Sequence, residues 1–298
     1  MRTILRTFWK IITAPFRAVL WVVRGVASAI RKFSQKIHAF FTEDEEDTPL
    51  GDAIEKMVEH PQGVIEHIDA LRKHLLRSVI ALLLTATASL IFVRPILDFL
   101  TSHLEGGVQG LTAIDVTENI SAVMRVALLA GFALALPYML LELYSFIAPG
   151  LHKKSRIRFL LAMPIALLLF VGGIAFAYFV MLPVALPFMF NFMGMQTNPR
   201  PSNYFSFITN IMFWIGLFFE LPLVAFLLAD FGILKAEMLI SQWRLAFVSI
   251  AVLAAVITPT TDIVNMAIVM IPMFLLYLIS ILLVFLAERN RGKKVFEP

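Results

Sequence analysis

The chain has 298 residues, of which 59% are hydrophobic and only 15% are charged. That composition excludes an ordinary water-soluble domain, because long uninterrupted apolar runs are typical of membrane spans. The lack of cysteine excludes disulfides, thiolate nucleophiles and cysteine-ligated metal sites. The net charge of +4 does not indicate nucleic acid, because the lysines and arginines flank apolar segments, as anchors facing anionic lipid do.

Residues 1–60 differ in composition from the rest of the chain. The first 41 residues contain no acidic side chain. Basic residues recur there every seven positions, at Lys10, Arg17, Arg24 and Arg31. With aromatic residues between them, this spacing predicts an amphipathic helix that lies in the lipid headgroup layer. The acidic run Glu43–Asp47 then predicts a solvated linker.

Six apolar segments follow, in the order Ser78–Val93, Val126–Ala148, Phe159–Leu182, Phe205–Ala229, Leu245–Ile257 and Ile263–Ala287. The fifth is short, since a helix of that length spans roughly 20 Å of a hydrocarbon core roughly 30 Å thick. We therefore predict an all-α membrane protein. Its six transmembrane helices occupy residues 61–289, after the N-terminal amphipathic helix and before a basic tail at residues 290–298.

The distribution of basic residues predicts the orientation of these helices. Of the 25 lysines and arginines, all but Arg94, Arg125 and Arg200 lie in the N-terminal region, in the loops after the second and fourth segments, or in the C-terminal tail. Basic loops stay on the cytoplasmic side of a membrane. The pattern predicts a multi-pass protein of the plasma membrane with both termini in the cytoplasm.

Five stretches resemble, in order, the TatC family, the polytopic subunit of the twin-arginine protein translocase. They are EHIDALRKHLL (Glu66–Leu76), LPYMLLELYSFIAPGL (Leu136–Leu151), FVGGIAFAYFVMLP (Phe170–Pro183), GLFFELP (Gly216–Pro222) and ITPTTD (Ile257–Asp262). The resemblance covers about Glu66–Arg289. It implies a six-span translocase core that exports folded proteins by means of the proton-motive force. It also implies single-span partners of the TatA and TatB type, assembly into a homo- or hetero-oligomer, and neither enzymatic activity nor a cofactor.

The resemblance also implies a binding site for signal peptides that carry consecutive arginines. Its residues in this chain are His67, Asp69, Leu71, Arg72, Glu142, Phe146 and Pro149. The two glutamates with which the family holds the arginines are replaced here by Ala70 and Ser155. Glu142 stands where the family commonly has a neutral glutamine, so it could supply the missing charge. The alternative is that Glu142 is an acid near the end of a span and pairs with Lys153 or Arg156.

Glu220 is the one charged residue in the apolar stretch FWIGLFFELPLVAFLLA. An acid at such a depth costs about 2.5–3.5 kcal/mol on insertion scales unless it protonates. Pro222 donates no hydrogen bond to the Phe218 carbonyl, so polar backbone is expected beside the carboxyl. The two readings are a polar notch that docks a single-span partner and a neutral Glu220 bonded to a neighbouring helix. By resemblance, the partner and translocation residues also include Glu118, Pro222, Thr258, Pro259 and Asp262.

Two other functions compete with the translocase reading. Six spans and an intramembrane acid permit a small-molecule secondary transporter, but the sequence has no inverted repeat or matched pair of broken helices. The substitutions at Ala70 and Ser155 permit a divergent scaffold that no longer reads the arginine signal. No Ser-His-Asp set, His-Glu-x-x-His motif or glycine-rich phosphate loop indicates an enzyme or a metal site.

Overall fold

The structure is a computed structural model that describes residues 61–104, 106–151, 153–190, 199–258 and 263–295. All regular secondary structure in these ranges is helical, which confirms the predicted all-α class. The predicted amphipathic helix, the acidic linker, Pro259 and Asp262 lie outside the described residues.

Ten α-helices occupy the described ranges. They are α1 (Pro61–Ser89), α2 (Val93–Leu100), α3 (Val116–Ile147), α4 (Lys153–Phe176), α5 (Leu182–Phe190), α6 (Pro201–Phe219), α7 (Leu221–Phe231), α8 (Ala236–Ser241), α9 (Trp243–Ile257) and α10 (Ile263–Val295). A single 3₁₀ turn, Leu90–Phe92, joins α1 to α2, and a π-helical turn, Ala177–Met181, joins α4 to α5.

Five helical stretches of the described chain are long and apolar enough to cross a membrane. They are His67–Leu100, Val116–Gly150, Ser155–Phe190, Pro201–Phe231 and Ile263–Arg289. The remaining apolar helix, α9, has 15 residues and is therefore about 22 Å long. All six predicted apolar segments thus lie in helices, five of them in helices of membrane-spanning length.

Helix α6 forms the centre of the bundle and packs against α3, α4 and α10. Residues from several of its faces are fully buried, including Tyr204, Phe207, Ile208, Ile211 and Ile215. A helix that is apolar all round is expected to be enclosed by other helices. Small residues bring α4 and α6 together, since a Cβ built on Gly173 would lie 2.8 Å from the Gly216 Cα.

Helix α1 lies at the edge of the bundle and packs mainly on α3. A Cβ built on Gly131 of α3 would lie 2.4 Å from the Ala86 Cα, so the two backbones touch at this point. There the Thr85 hydroxyl donates a 2.8 Å hydrogen bond to the Gly131 carbonyl. The other face of α1 is apolar and exposed, as a lipid-facing helix requires.

The two ends of the bundle differ in charge. We call one the basic end, where the described chain places Arg72, Lys73, Arg156, Arg158 and Lys235. At the opposite end, the Tyr204 hydroxyl donates to the Leu100 carbonyl at 2.8 Å and the Tyr178 hydroxyl donates to the Phe99 carbonyl at 2.5 Å. These bonds hold the C-terminus of α2 against the π turn and the start of α6.

Candidate functional site

Glu142 lies near the C-terminus of α3, at the basic end. Its side chain is only 10% exposed. One carboxylate oxygen accepts a hydrogen bond from Nδ1 of His74 on α1 at 2.5 Å, and the other accepts from the Tyr138 hydroxyl at 2.5 Å. The Arg77 guanidinium lies 3.8 Å from the oxygen that His74 contacts. Because both oxygens are bonded, burial of this carboxylate leaves no polar atom unsatisfied.

Phe146 lies one helical turn after Glu142 on α3, which places both on the same face. The His67 ring stacks on the Phe146 ring with 4.5 Å between centroids, and the His74 ring meets its edge at 6.2 Å. His67 and His74 are two turns apart on α1, so they face α3 together. The two histidines, Glu142 and Phe146 therefore form one interhelical cluster.

A groove of about 300 Å³ opens beside this cluster. It is lined by Asp69, Ala70, Lys73, His74 and Arg77. Asp69 is exposed, so its carboxylate is open to solvent at the groove. The groove lining therefore offers one exposed carboxylate, at Asp69, while the Glu142 carboxylate lies behind His74 and is already hydrogen-bonded.

The other predicted signal-binding residues lie on the exposed surface of the basic end. Leu71 is 47% exposed, and Arg72 is exposed on the same helix. Pro149 is exposed in the 3₁₀ turn Ala148–Gly150, where its carbonyl accepts a 3.5 Å hydrogen bond from Arg156. Ser155, in contrast, is buried, and its hydroxyl accepts a 3.3 Å hydrogen bond from Arg158.

Sequence reasoning missed the residues that hold Glu142. It named Lys153 or Arg156 as partners for Glu142 and did not name His74, Tyr138 or Arg77, which the structure places in contact with the Glu142 carboxylate. The spacing of Tyr138 and Glu142 along α3 could have indicated their contact. The contact between His74 and Glu142 depends on how α1 and α3 pack, which no local pattern reveals.

A second buried carboxylate at the basic end also joins two helices. Asp230, near the end of α7, has a side chain only 9% exposed and forms an ion pair with Arg158 of α4. Its other oxygen is buried and accepts no hydrogen bond from the part of the chain that the structure describes. This pair therefore ties the start of α4 to the end of α7.

Glu220 lies between α6 and α7, where the long apolar helix is interrupted. Its backbone N–H donates to the Leu217 carbonyl at 3.1 Å, three residues back, which is a tighter turn than that of an α-helix. Its own carbonyl accepts a hydrogen bond from the Val224 backbone N–H at 2.9 Å. Pro222 is buried in the first turn of α7. One oxygen of the Glu220 carboxyl is buried without a hydrogen-bond partner among the described residues. The long apolar helix is thus interrupted two residues before Pro222, with a buried carboxyl oxygen that has no partner in the described chain.

Glu118 lies in the first turn of α3, at the opposite end. One of its oxygens is 3.9 Å from the Arg200 guanidinium, and the other is buried with no hydrogen-bond partner in the described chain. The adjacent N-cap Asp115 accepts from the Thr117 backbone N–H, and that bond lowers the pKa of the Asp115 carboxyl. Arg200 precedes Glu220 by 20 residues, or about 30 Å of helix, so Glu118 and Glu220 do not form one site.

Thr258 is the last of the predicted partner and translocation residues that the structure describes. It is buried at the C-terminus of α9, where its hydroxyl donates a 2.9 Å hydrogen bond to the Ala254 carbonyl. That bond satisfies the hydroxyl within its own helix. Thr258 is therefore the C-cap of α9, and its hydroxyl proton is used within that helix.

Comparisons with known proteins agree on one family. The family profile described as Sec-independent protein translocase protein (TatC) matches residues 66–272. The chain is 34% identical to the Sec-independent protein translocase protein TatC of Carboxydothermus hydrogenoformans over 227 residues, which cover 76% of this chain and 93% of that protein. It is 38% identical over 205 residues to the TatC protein of Koribacter versatilis, covering 67% of this chain and 74% of that one.

A solved structure matches the fold as well. The crystal structure of a twin arginine translocase receptor TatC aligns with a TM-score of 0.68 at 30% identity, covering 74% of this chain and 99% of that chain. The profile, the relatives and the solved structure all extend over most of the helical region described above. The chain therefore belongs to the TatC family and is a non-enzymatic, multi-pass membrane subunit at the core of a twin-arginine (Sec-independent) protein translocase.

Proposed function

We propose that this chain receives twin-arginine signal peptides on the cytoplasmic side and passes their folded cargo across the plasma membrane by means of the proton-motive force. The basic end is the cytoplasmic end, since nearly all lysines and arginines of the chain belong to that side. Both termini are cytoplasmic, which requires an even number of spans. Helix α9 is then the sixth span, and the bilayer thins around its roughly 22 Å length.

The observation that carries the receptor proposal is the Glu142 carboxylate beside the open groove. A signal with two arginines needs acceptors where water is partly excluded, because charge-assisted pairs are strongest there. Glu142 is such an acceptor, next to the groove through its contact with His74, and the exposed Asp69 in the groove lining is a second one. Leu71, Arg72 and Pro149 are exposed at the same end of the bundle, and together with Phe146 they are proposed to contact the rest of the signal peptide.

Photocrosslinking of a synthetic signal peptide to the full-length protein tests the receptor proposal. The Arg-Arg peptide is expected to crosslink and its Lys-Lys counterpart is not, because only guanidinium bridges a carboxylate with two parallel hydrogen bonds. Glu142→Gln should lower capture roughly ten- to a hundred-fold, the equivalent of about 1.5–3 kcal/mol. Glu237→Gln is the matched control, since that acid is exposed on α8 and lies outside the groove. Ala70→Glu should increase capture by adding a carboxylate to the groove lining.

A scaffold that no longer reads the signal is the second candidate, because His74 and Tyr138 already occupy both Glu142 oxygens. In that case, the unmodified protein would capture the Arg-Arg and Lys-Lys peptides equally. Ser155→Glu is a poor test of lost recognition, since Ser155 is buried against Arg158 and a carboxylate there would compete with Asp230.

The Glu220 region is proposed as the docking notch for a single-span partner of the TatA or TatB type. Its support is the buried, unsatisfied oxygen beside a helix interruption, since a polar side chain from a partner helix would satisfy it. Glu118, Thr258, Pro259 and Asp262 are also proposed to act in partner contact or translocation, and of these Glu118 lies about 30 Å from this notch. Lipid surrounds the exposed apolar faces, and the working form is a homo- or hetero-oligomer.

A further inference from the structure

His74 and a signal arginine compete for the same carboxylate. A guanidinium that bridges Glu142 with two hydrogen bonds needs both carboxylate oxygens. Nδ1 of His74 donates to one of these oxygens at 2.5 Å. The centroid of the His74 ring lies 6.2 Å from that of the Phe146 ring. The groove contains His74 itself, so the imidazole stands between the groove and Glu142. An arginine that enters from the groove has to move the imidazole aside to reach Glu142, and it meets the Tyr138 hydroxyl on the other carboxylate oxygen.

The strength of that competition depends on the charge of the imidazole. Histidine is the side chain that ordinarily gains or loses its charge between pH 5 and pH 8. An imidazolium binds a carboxylate more tightly than a neutral imidazole does, because the hydrogen bond is then assisted by charge. Displacement of His74 is therefore easier when the imidazole is neutral, at the higher pH.

We infer that His74 is a positioning residue that closes Glu142 against guanidinium when protonated, so that capture of the arginine signal falls as the pH is lowered. The inference rests on the receptor function proposed above. Since protonated His74 holds a proton that binding of the signal excludes, capture rises with pH. The peptide's arginines stay charged throughout, so the change comes from the protein.

Other charged groups around His74 do not account for the same pH profile. On α3, the helix that packs against it, the facing titratable groups are Glu142 and Tyr138. On α1 itself the groups nearby are Asp69, Lys73 and Arg77 at the groove, and His67 against Phe146. Among these, His67 is the other histidine. His67 therefore requires its own control.

The test measures capture of the Arg-Arg peptide by the full-length protein from pH 5.5 to pH 8. In the unmodified protein we expect about a tenfold rise over this range, as a charge-assisted hydrogen bond at Glu142 is replaced by a neutral one. His74→Gln should flatten the profile, because an amide can donate to Glu142 but does not titrate. His74→Arg should lower capture at every pH, and His67→Gln should keep the rise.

Two results would overturn the inference. A flat profile in the unmodified protein, with capture still specific for arginine, would remove His74 as the controlling group and leave the receptor function standing. An unchanged rise in His74→Gln would assign the titration to another residue and have the same consequence. Equal capture of the Arg-Arg and Lys-Lys peptides at pH 8 would instead overturn the receptor function, and the inference with it.

Discussion

The ion pair between Arg158 and Asp230 should be one of the main stabilising contacts of the basic end. The Asp230 side chain is 9% exposed and that of Arg158 is 36% exposed. Arg158→Met leaves a buried carboxylate whose other oxygen already lacks a hydrogen-bond partner among the described residues. Removal of one partner of a buried pair costs about 3–5 kcal/mol, and the partial exposure of Arg158 places this case near 3 kcal/mol.

Asp230→Leu should lower the stability less than Arg158→Met does, because the released Arg158 guanidinium can turn toward water. The double variant Arg158→Met with Asp230→Leu should recover most of the stability, since it buries no uncompensated charge. Thermal unfolding of the purified protein in detergent measures the effect, and about 3 kcal/mol corresponds to a fall in Tm of roughly 6–12 °C. Glu237→Gln, an exposed acid at the same end, is the control. A double variant no more stable than Arg158→Met alone would refute the argument.

Three further predictions concern topology, the Glu220 notch and the N-terminal stretch. Because the chain has no cysteine, single cysteines introduced at Gln109 and Lys235 report topology directly. In intact cells a membrane-impermeant reagent should label only the cysteine at position 109. Labelling at position 235 would contradict the cytoplasmic placement of the basic end. Glu220→Ala should block export while the protein still accumulates in the membrane. Glu220→Gln should retain part of the export activity, because an amide still forms hydrogen bonds. Normal export by Glu220→Leu would show that the notch has no role. A peptide of residues 1–41 should bind anionic vesicles more strongly than neutral ones, and equal binding at low salt would exclude an electrostatic anchor.

Much of the architecture could be predicted from the sequence because a bilayer permits few solutions. Backbone polar groups in hydrocarbon must bond within their own segment, so apolar runs such as Phe205–Ala229 have to be helical. The shortness of the segment at Leu245–Ile257 was also visible, and α9 has 15 residues. Polar backbone beside Glu220 was expected from Pro222, whose nitrogen has no proton to donate, and the structure interrupts the helix at this point. Each of these conclusions depends only on the local chain and on the solvent around it.

The contacts between helices were decided by the tertiary structure alone. In apolar helices such as α3 and α6 nearly every face is hydrophobic, so no periodicity marks the side that meets a neighbour. The sequence therefore identified Glu142 as a candidate acid but not His74 as its partner, and it offered no reason to pair Arg158 with Asp230. Those pairings depend on where helix backbones approach, at small residues such as Gly131 and Gly216. Packing between distant segments, which local sequence does not encode, determines which carboxylates are occupied and which oxygens remain without a partner.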